Sequence, residues 1–111
     1  MNPYIWLIIA ILSEVTASTA LRATKGFTQL VPSIVTVVGY IISFYALSHT
    51  LVAIKLGIAY AIWSGIGIVL ITILGFLVYK QQLDWPAILG IVLIIAGVLV
   101  IQIFSQAAAI N

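Results

Sequence analysis

Residues 57–79 read GIAYAIWSGIGIVLITILGFLVY, an apolar run without a single charged side chain. A helix needs about 20 apolar residues to cross the hydrocarbon core of a bilayer, so this run is long enough to span it. The rest of the chain has the same character. Of its 111 residues 65% are apolar, and only four are Lys or Arg and two are Asp or Glu. We therefore predict a membrane protein.

Three further apolar stretches flank this run, at residues 3–21, 32–51 and 85–105. Pro3, Pro32 and Pro86 stand at or near the start of these stretches, where the missing N–H of a proline removes no helical hydrogen bond. The connections between the stretches are short, so we expect consecutive helices to be antiparallel neighbours. We predict an all-α membrane protein in which residues 1–111 form a single domain of four transmembrane helices.

The composition also excludes several classes of function. The chain has no Cys and one His, so we expect no disulfide framework, metal site or thiol nucleophile, and no cofactor. A net charge of +2 on an almost uncharged chain makes no basic patch for nucleic acid. One acid within a span and one distant His assemble no catalytic set, so we predict that the protein is not an enzyme.

The charges of the connecting loops specify the orientation in the membrane only weakly. The first and third connections hold Arg22, Lys25 and Lys80, whereas the second holds Lys55. This distribution mildly favours placing both chain termini outside. Insertion in both orientations is compatible with it.

Glu14 is the one charged residue in the middle of a predicted span. A carboxylate there costs at least about 2.5 kcal/mol on insertion scales. No Lys, Arg or other acid lies within a span to offset this cost. Glu14 therefore either stays protonated and bonds a neighbouring helix, or exchanges its proton for a cation. We favour the second reading, which makes Glu14 the predicted proton- and substrate-binding residue.

Aromatic residues at helical spacing occur in two of the spans. Tyr60 and Trp63 are three residues apart in the third span, and Tyr40 and Phe44 are four apart in the second. Aromatic ring faces attract cations, and the attraction adds to that of a carboxylate. Packing or interfacial anchoring is the alternative explanation, above all for Tyr40 and Phe44. We predict that the four rings and Glu14 form a site for lipophilic cations.

Glycines mark two further features. Gly65 and Gly67 lie within the third span and form a predicted bending point. On the fourth span four residues share one helix face, and small residues at such spacing favour helix association in lipid. We predict a dimer contact there, with packing inside one chain as an equally open alternative. The residues are Gly90, Leu93, Ile94 and Gly97.

With these residues in place, the chain resembles the small multidrug resistance family, and in particular its quaternary-ammonium branch. The resemblance covers all four spans, and residues 57–71 are its most specific part. The other matching elements are Tyr4, Leu7, Ala10, Ile11 and Glu14, the segments Gly26-Phe27-Thr28 and Pro32-Ser33, the residues Tyr40, Ser43 and Phe44, and the segments Leu83-Asp84 and Ala96-Gly97-Val98.

The resemblance implies an antiparallel, dual-topology homodimer in the bacterial inner (plasma) membrane. Such a dimer exports hydrophobic cations in exchange for protons, so its partners are cationic small molecules, protons, the lipid bilayer and a second copy of the chain. Glu14 of each subunit would form the shared proton and cation site. The substrate-binding residues would be Trp63, Tyr60, Tyr40, Phe44, Tyr4, Leu7, Ala10, Ile11, Ala17 and Ser18.

The chain departs from the family pattern at several positions. Lys55 stands where the family usually has Pro, Arg22 replaces a usual Lys, and Ala17 and Ser18 replace a Gly and a Thr. The guanidinium-exporting branch tends to carry Trp at the position of Ala17, so the alanine favours the multidrug branch. Three alternatives stay open: export of small cations such as guanidinium, polyamines or betaine-like solutes, a heterodimer with a paralogue, and a non-transporting partner of another membrane protein.

Overall fold

The computed structural model describes residues 2–104, which form four helices. They are α1 (Pro3–Ala23), α2 (Leu30–Thr50), α3 (Leu56–Tyr79) and α4 (Trp85–Phe104). Each is long and apolar enough to cross a membrane, with a mean hydropathy between 1.7 and 3.0. The predicted all-helical architecture with four candidate spans is therefore confirmed. Ser105, the predicted last residue of the fourth span, lies outside the described residues.

Local side chains satisfy the backbone at the first turns of two helices. The Asn2 side chain accepts a hydrogen bond of 2.8 Å from the Tyr4 N–H, and Pro3 follows at the first helical position. At α4 the Asp84 carboxylate accepts one of 3.2 Å from the Ala87 N–H. Such caps replace hydrogen bonds that the first turn of a helix lacks, which explains why α1 and α4 begin at these residues.

Helices α1 and α2 approach closely because small residues line their contact. A Cβ atom added to Gly39 would lie 2.8 Å from the Ala17 Cβ atom. Two hydroxyls of α2 bond to the α1 backbone: Ser43 donates to the Ala10 carbonyl at 2.7 Å and Thr36 to the Ala17 carbonyl at 3.3 Å. Close backbone approach and polar side-chain contacts drive helix association in lipid. Close backbone approach and these two hydrogen bonds therefore hold α1 and α2 together.

Helix α1 is the centre of the bundle, because it packs against both α2 and α3, whereas α4 packs mainly against α3. Consecutive helices were expected to pack against each other. The pairs α1–α2 and α3–α4 do so, but α2 and α3 make few contacts. Residues 51–55 connect them, and five extended residues reach about 17 Å, beyond the roughly 8–10 Å between packed helices. The buried core consists of Leu7, Ala10, Ile11, Val15, Ala46, Leu47 and Ile62.

Helix α4 has no buried residue along its described length. It contacts α3 at Gly65, where an added Cβ atom would overlap the Val98 side chain and lie 3.4 Å from Ile94. Cβ atoms added to Gly90 or Gly97 would meet nothing within 4 Å in the described chain. One face of α4 is therefore uncovered when the chain is alone.

Candidate functional site

Glu14 lies half-buried near the middle of α1 and takes part in a short hydrogen-bond chain. The Ser18 hydroxyl, one helical turn later, donates to Glu14 Oε1 at 2.6 Å. The Ser18 oxygen also lies 2.7 Å from the Tyr40 hydroxyl oxygen of α2. An ionised carboxylate only accepts hydrogen bonds and Ser18 has one proton to donate, so Tyr40 donates to Ser18 in this state. Protonation of Glu14 allows the donor and acceptor roles in these two hydrogen bonds to reverse.

No basic side chain pairs with Glu14 among residues 2–104. On the α3 side the carboxylate faces Gly67, where an added Cβ atom would lie 3.5 Å from Glu14 Oε2. An ionised carboxylate away from water needs a cation or several hydrogen bonds to offset its lost hydration. The space beside Glu14 can therefore receive a positive charge.

A cavity of about 240 Å³ opens beside the carboxylate, mainly along α3. Pockets that enclose a drug-sized ligand usually measure about 300–1,000 Å³. Tyr60 in the cavity wall stays 55% exposed, so one chain does not enclose the space. The residues of one copy wall this space only in part. The lining residues are Glu14, Tyr60, Trp63, Ser64, Gly67, Ile68 and Ile71.

Four aromatic rings form a continuous arc near the cavity. The Tyr60 and Trp63 ring centroids are 5.2 Å apart, with the rings nearly perpendicular. Trp63 meets Phe44 edge-on at 6.2 Å, and Phe44 stacks with Tyr40 at 6.4 Å. The Tyr40 hydroxyl then joins the arc to Ser18. Rings next to a carboxylate suit a lipophilic cation, because ring faces and the negative charge attract it together.

The Trp63 indole nitrogen is buried and has no hydrogen-bond partner within the part of the chain that the structure describes. Buried donors are usually paired with protein or water. This N–H is thus free to bond an acceptor from a ligand, a water or a second chain.

Several of the predicted substrate-binding residues are not brought to this cavity. Leu7, Ala10, Ile11 and Ala17 are at most 4% exposed. They lie in the packing of α1 against its neighbours, and Tyr4 packs against the same core. Some of these residues lie on the same face of α1 as Glu14, but α2 and α3 cover them. Their contact with substrate stays a prediction.

The two predicted hinge glycines have different surroundings. Gly65 lies against α4, whereas Gly67 lines the cavity beside Glu14. Helix α3 is continuous through both positions. Its bending there stays a prediction.

Three lining residues were not among the predicted site residues: Ser64, Ile68 and Ile71. Together with Tyr60 and Gly67 they follow one stripe of α3 at spacings of three and four. Continuing the Tyr60 stripe by three further helical turns would have found them.

Comparison with known proteins identifies the family. Residues 2–94 match the family described as Small Multidrug Resistance protein. The chain belongs to the small multidrug resistance family. It is 53% identical to the multidrug transporter EmrE of Escherichia coli over 96% of both chains. It is 46% identical to the quaternary ammonium compound-resistance protein QacE of Escherichia coli, covering 98% of this chain and 99% of that protein.

A second resistance protein of this family, QacF of Klebsiella aerogenes, is 45% identical over 98% of this chain and 99% of its own length. The family resemblance inferred from the sequence is thus confirmed over nearly the whole chain. With four helices able to span a bilayer, this member of the small multidrug resistance family is a multi-pass protein of the bacterial inner membrane.

Proposed function

We propose that the chain is a multidrug transporter that exports lipophilic and quaternary ammonium cations in exchange for protons. It is a transporter and not an enzyme. One observation carries the proposal: the Glu14 carboxylate lies without a paired cation in a cavity walled by aromatic rings, within a helix able to span the membrane. The names of EmrE and QacE, which refer to multidrug transport and to quaternary ammonium resistance, support it.

Glu14 binds either a proton or a cation but not both, and this explains the exchange of one for the other. The positive charge of a drug binds the carboxylate while its apolar groups contact the Tyr60 and Trp63 rings. In a site with little water this ionic attraction is much stronger than in bulk water. A proton on Glu14 removes the negative charge and so releases the cation. An inward proton gradient therefore drives the cation outward.

A second copy of the chain would complete the site. The cavity of about 240 Å³ is open, and Tyr60 and Phe44 expose 55% and 56% of their surface. On α4 the face with Gly90 and Gly97 is free to pack against a partner. Leu93, which is 62% exposed, belongs to the same proposed dimer contact, whereas Ile94, which was predicted to be part of it, lies against α3 at Gly65. The two Glu14 carboxyls would then share one cavity and bind either one cationic drug or protons.

An antiparallel arrangement of the two copies makes alternating access symmetric. The inward-open and outward-open forms are then equivalent, with the two subunits exchanging roles. The alternative is a pair with a paralogue of fixed opposite orientation. It is favoured by the exposed basic residues at the first and third connections, which are Arg22 in the last turn of α1, Lys25 and Lys80, against Lys55 alone at the second.

The exported cation could be small, such as guanidinium, or bulky and lipophilic. Export of a small cation such as guanidinium needs the carboxylate but little aromatic surface. The four-ring arc favours bulky aromatic or quaternary cations, because these gain from ring contact. A panel of cations tested on the reconstituted protein would rank the two classes.

The decisive experiment is proton-driven uptake of a tetraphenylphosphonium-like cation into liposomes that contain the purified protein. We expect Glu14→Gln, which keeps the shape of the side chain, to reduce uptake to the level of protein-free liposomes. We also expect it to abolish the dependence of cation binding on pH, because the group that binds both proton and cation is gone.

Asp84→Asn is the matched control. It makes the same acid-to-amide change at the other acidic residue, which caps α4 outside the spans. We expect this variant to retain uptake. Cation binding by Glu14→Gln that still depends on pH would contradict the proposed function.

A further inference from the structure

A second, smaller cavity lies next to the cation cavity. It measures about 130 Å³ and lies where α1 and α3 both end. Ser18, Thr19, Tyr79 and Gln81 contribute polar groups to its wall, and Ile71 borders both cavities. One water takes about 30 Å³ of liquid volume, so the space holds several waters but no bulky drug.

The polar wall contains one unsatisfied group. The Thr19 hydroxyl oxygen is buried and has no hydrogen-bond partner among residues 2–104. Buried hydroxyls are rarely left unpaired, and water is the usual partner where a polar cavity adjoins them. The chemistry of this wall therefore indicates that the cavity is hydrated.

Ser18 joins the second cavity to Glu14. It lines the cavity and donates to Glu14 Oε1 at 2.6 Å. A hydroxyl oxygen has two lone pairs, so Ser18 can accept from Tyr40 and from a water in the cavity at the same time. A continuous line of hydrogen-bonding groups thus leads from the end of α1 to the carboxylate.

Tyr79, the last residue of α3, lines this cavity. Its hydroxyl donates to the Thr19 carbonyl at 2.6 Å, and the Arg22 guanidinium lies 5.3 Å from its ring centroid. Lys80 follows in the left-handed conformation, with φ of 56°, and ends α3. This turn lets the Gln81 N–H bond the Gly75 carbonyl at 3.1 Å, which places Gln81 in the wall.

We propose that this second cavity is a proton-entry route to Glu14, separate from the path of the cation, and that Tyr79 closes it. A hydronium ion in the cavity transfers a proton to Ser18 as Ser18 passes its own proton to Glu14 Oε1. The carboxyl becomes neutral, Ser18 is unchanged, and the donating hydronium becomes water. Breaking the Tyr79–Thr19 hydrogen bond opens the route. The inference rests on the proposed exchange function and adds a residue-level path to it.

Size makes the route suit protons and exclude drugs. About 130 Å³ is too little for a bulky cation. The C-terminal ends of α1 and α3 contribute negative partial charge near the cavity, and Arg22 in its wall offsets part of it. Protons move along hydrogen bonds through a space that a drug cannot enter.

The test measures proton entry without any drug. Liposomes with a trapped pH-sensitive dye receive a pH gradient, and the rate with Glu14→Gln protein is subtracted. Tyr79→Phe keeps the ring and removes the closing hydroxyl. One hydrogen bond shifts an opening equilibrium by about twofold to tenfold, and we expect a rate increase of that size. Thr19→Val removes the hydroxyl that holds water in the route, and we expect a slower rate, with Thr19→Ser restoring it.

Two variants serve as controls. Tyr45→Phe and Thr16→Val make the same chemical changes at exposed positions that do not line this cavity, and we expect wild-type rates. Cation affinity at high pH, where protons compete least, should be unchanged in all four single variants. A role limited to packing would lower the rate or the affinity in Tyr79→Phe and Thr19→Val alike.

Rates that move in the same direction in Tyr79→Phe and Thr19→Val, or that match their controls, would overturn the route. If the wild-type protein exchanges cations through Glu14 while these variants behave as wild type, only the route fails. If the wild-type protein does not exchange cations at all, the proposed function fails and the route fails with it.

Discussion

Ser18 connects Glu14, helix α2 and the second cavity. Its hydroxyl bonds Glu14 on its own helix and Tyr40 on α2, and it also borders the second cavity. The spacing of four residues predicts that Ser18 and Glu14 share a face of α1. The bond to Tyr40 follows only from the rotation and close approach of α2, which no local pattern encodes.

At this scale we predict that Ser18→Ala weakens cation binding at neutral pH by about threefold to tenfold, since hydrogen bonds to charged groups contribute about 1.5–3 kcal/mol and this site is only partly buried. In the wild type the Ser18 hydroxyl donates a hydrogen bond to the ionised carboxylate and stabilises it. Without this bond, protons compete better with the cation for Glu14. Binding should recover as the pH rises. The measurement is equilibrium binding of a fluorescent or labelled cation over a range of pH.

Tyr40→Phe should give a smaller effect in the same direction, because it removes only the bond to Ser18. Ser48→Ala is the matched control, since the Ser48 hydroxyl bonds the Tyr45 carbonyl within its own helix and is exposed. A Ser18→Ala protein that binds like Ser48→Ala at every pH would show that the hydrogen-bond chain does not tune Glu14.

At the scale of elements, α3 carries two different surfaces. One stripe, with Tyr60, Trp63 and Gly67, faces Glu14, and another, with Gly65, receives α4. Hydropathy alone identifies α3 and α4 as spans but gives no rotation about their axes. Gly65 was predicted as part of a bending point because two glycines occur close together. The structure gives it a packing role, since the absent side chain leaves room for Val98.

Gly65→Val and Gly97→Val form a matched pair. At Gly65 the added side chain must displace α4, and overpacking of this kind costs about 1–3 kcal/mol. At Gly97 it meets open space within the chain. We therefore expect Gly65→Val to lower the midpoint of thermal unfolding in detergent, at a dilution where the protein is monomeric. We expect Gly97→Val to leave that midpoint unchanged and to lower the dimer fraction at higher concentration.

A Gly97→Val protein that dimerises as well as the wild type would place the dimer contact away from this face of α4. Equal unfolding midpoints for Gly65→Val and the wild type would show that α4 is not held against α3 at this position.

At the scale of the whole molecule, the single chain leaves several of its functional surfaces open. Its cation cavity is open, its aromatic arc is partly exposed, and α4 buries no residue of its own within the described chain. A membrane protein gains little from covering apolar surface, because lipid tails are equally apolar. The proposed dimer contact on α4 therefore depends on close approach of its small residues and not on hydrophobic burial.

The orientation of that second copy can be measured directly, because the chain has no Cys of its own. In Gln82→Cys a membrane-impermeant thiol reagent labels those copies whose third connection faces outward. Three basic residues in or next to the first and third connections, against one in the second, mildly favour an inward location of the third connection. We expect a labelled fraction well above zero but below about one half, and Val52→Lys, which adds a charge to the second connection, should raise it.

Complete protection of the introduced cysteine in intact cells would contradict dual topology. It would instead favour pairing with a paralogue of opposite orientation. Asp84→Asn in the same background is a control for general effects of loop charge, since the rule counts Lys and Arg and gives acidic residues little weight.

The sequence by itself determined the four spans and singled out Glu14, because the free energy of placing apolar or charged groups in a bilayer depends on residue type and depth. It also indicated aromatic partners, because helical spacing fixes which residues of one helix share a face. Only the tertiary structure decided that Ser18 links Glu14 to Tyr40, that Leu7 and Ala10 lie in helix packing, and that a second polar cavity adjoins the first. These features depend on the rotation and spacing of helices against one another, which side-chain shape at each contact sets and which hydropathy does not record.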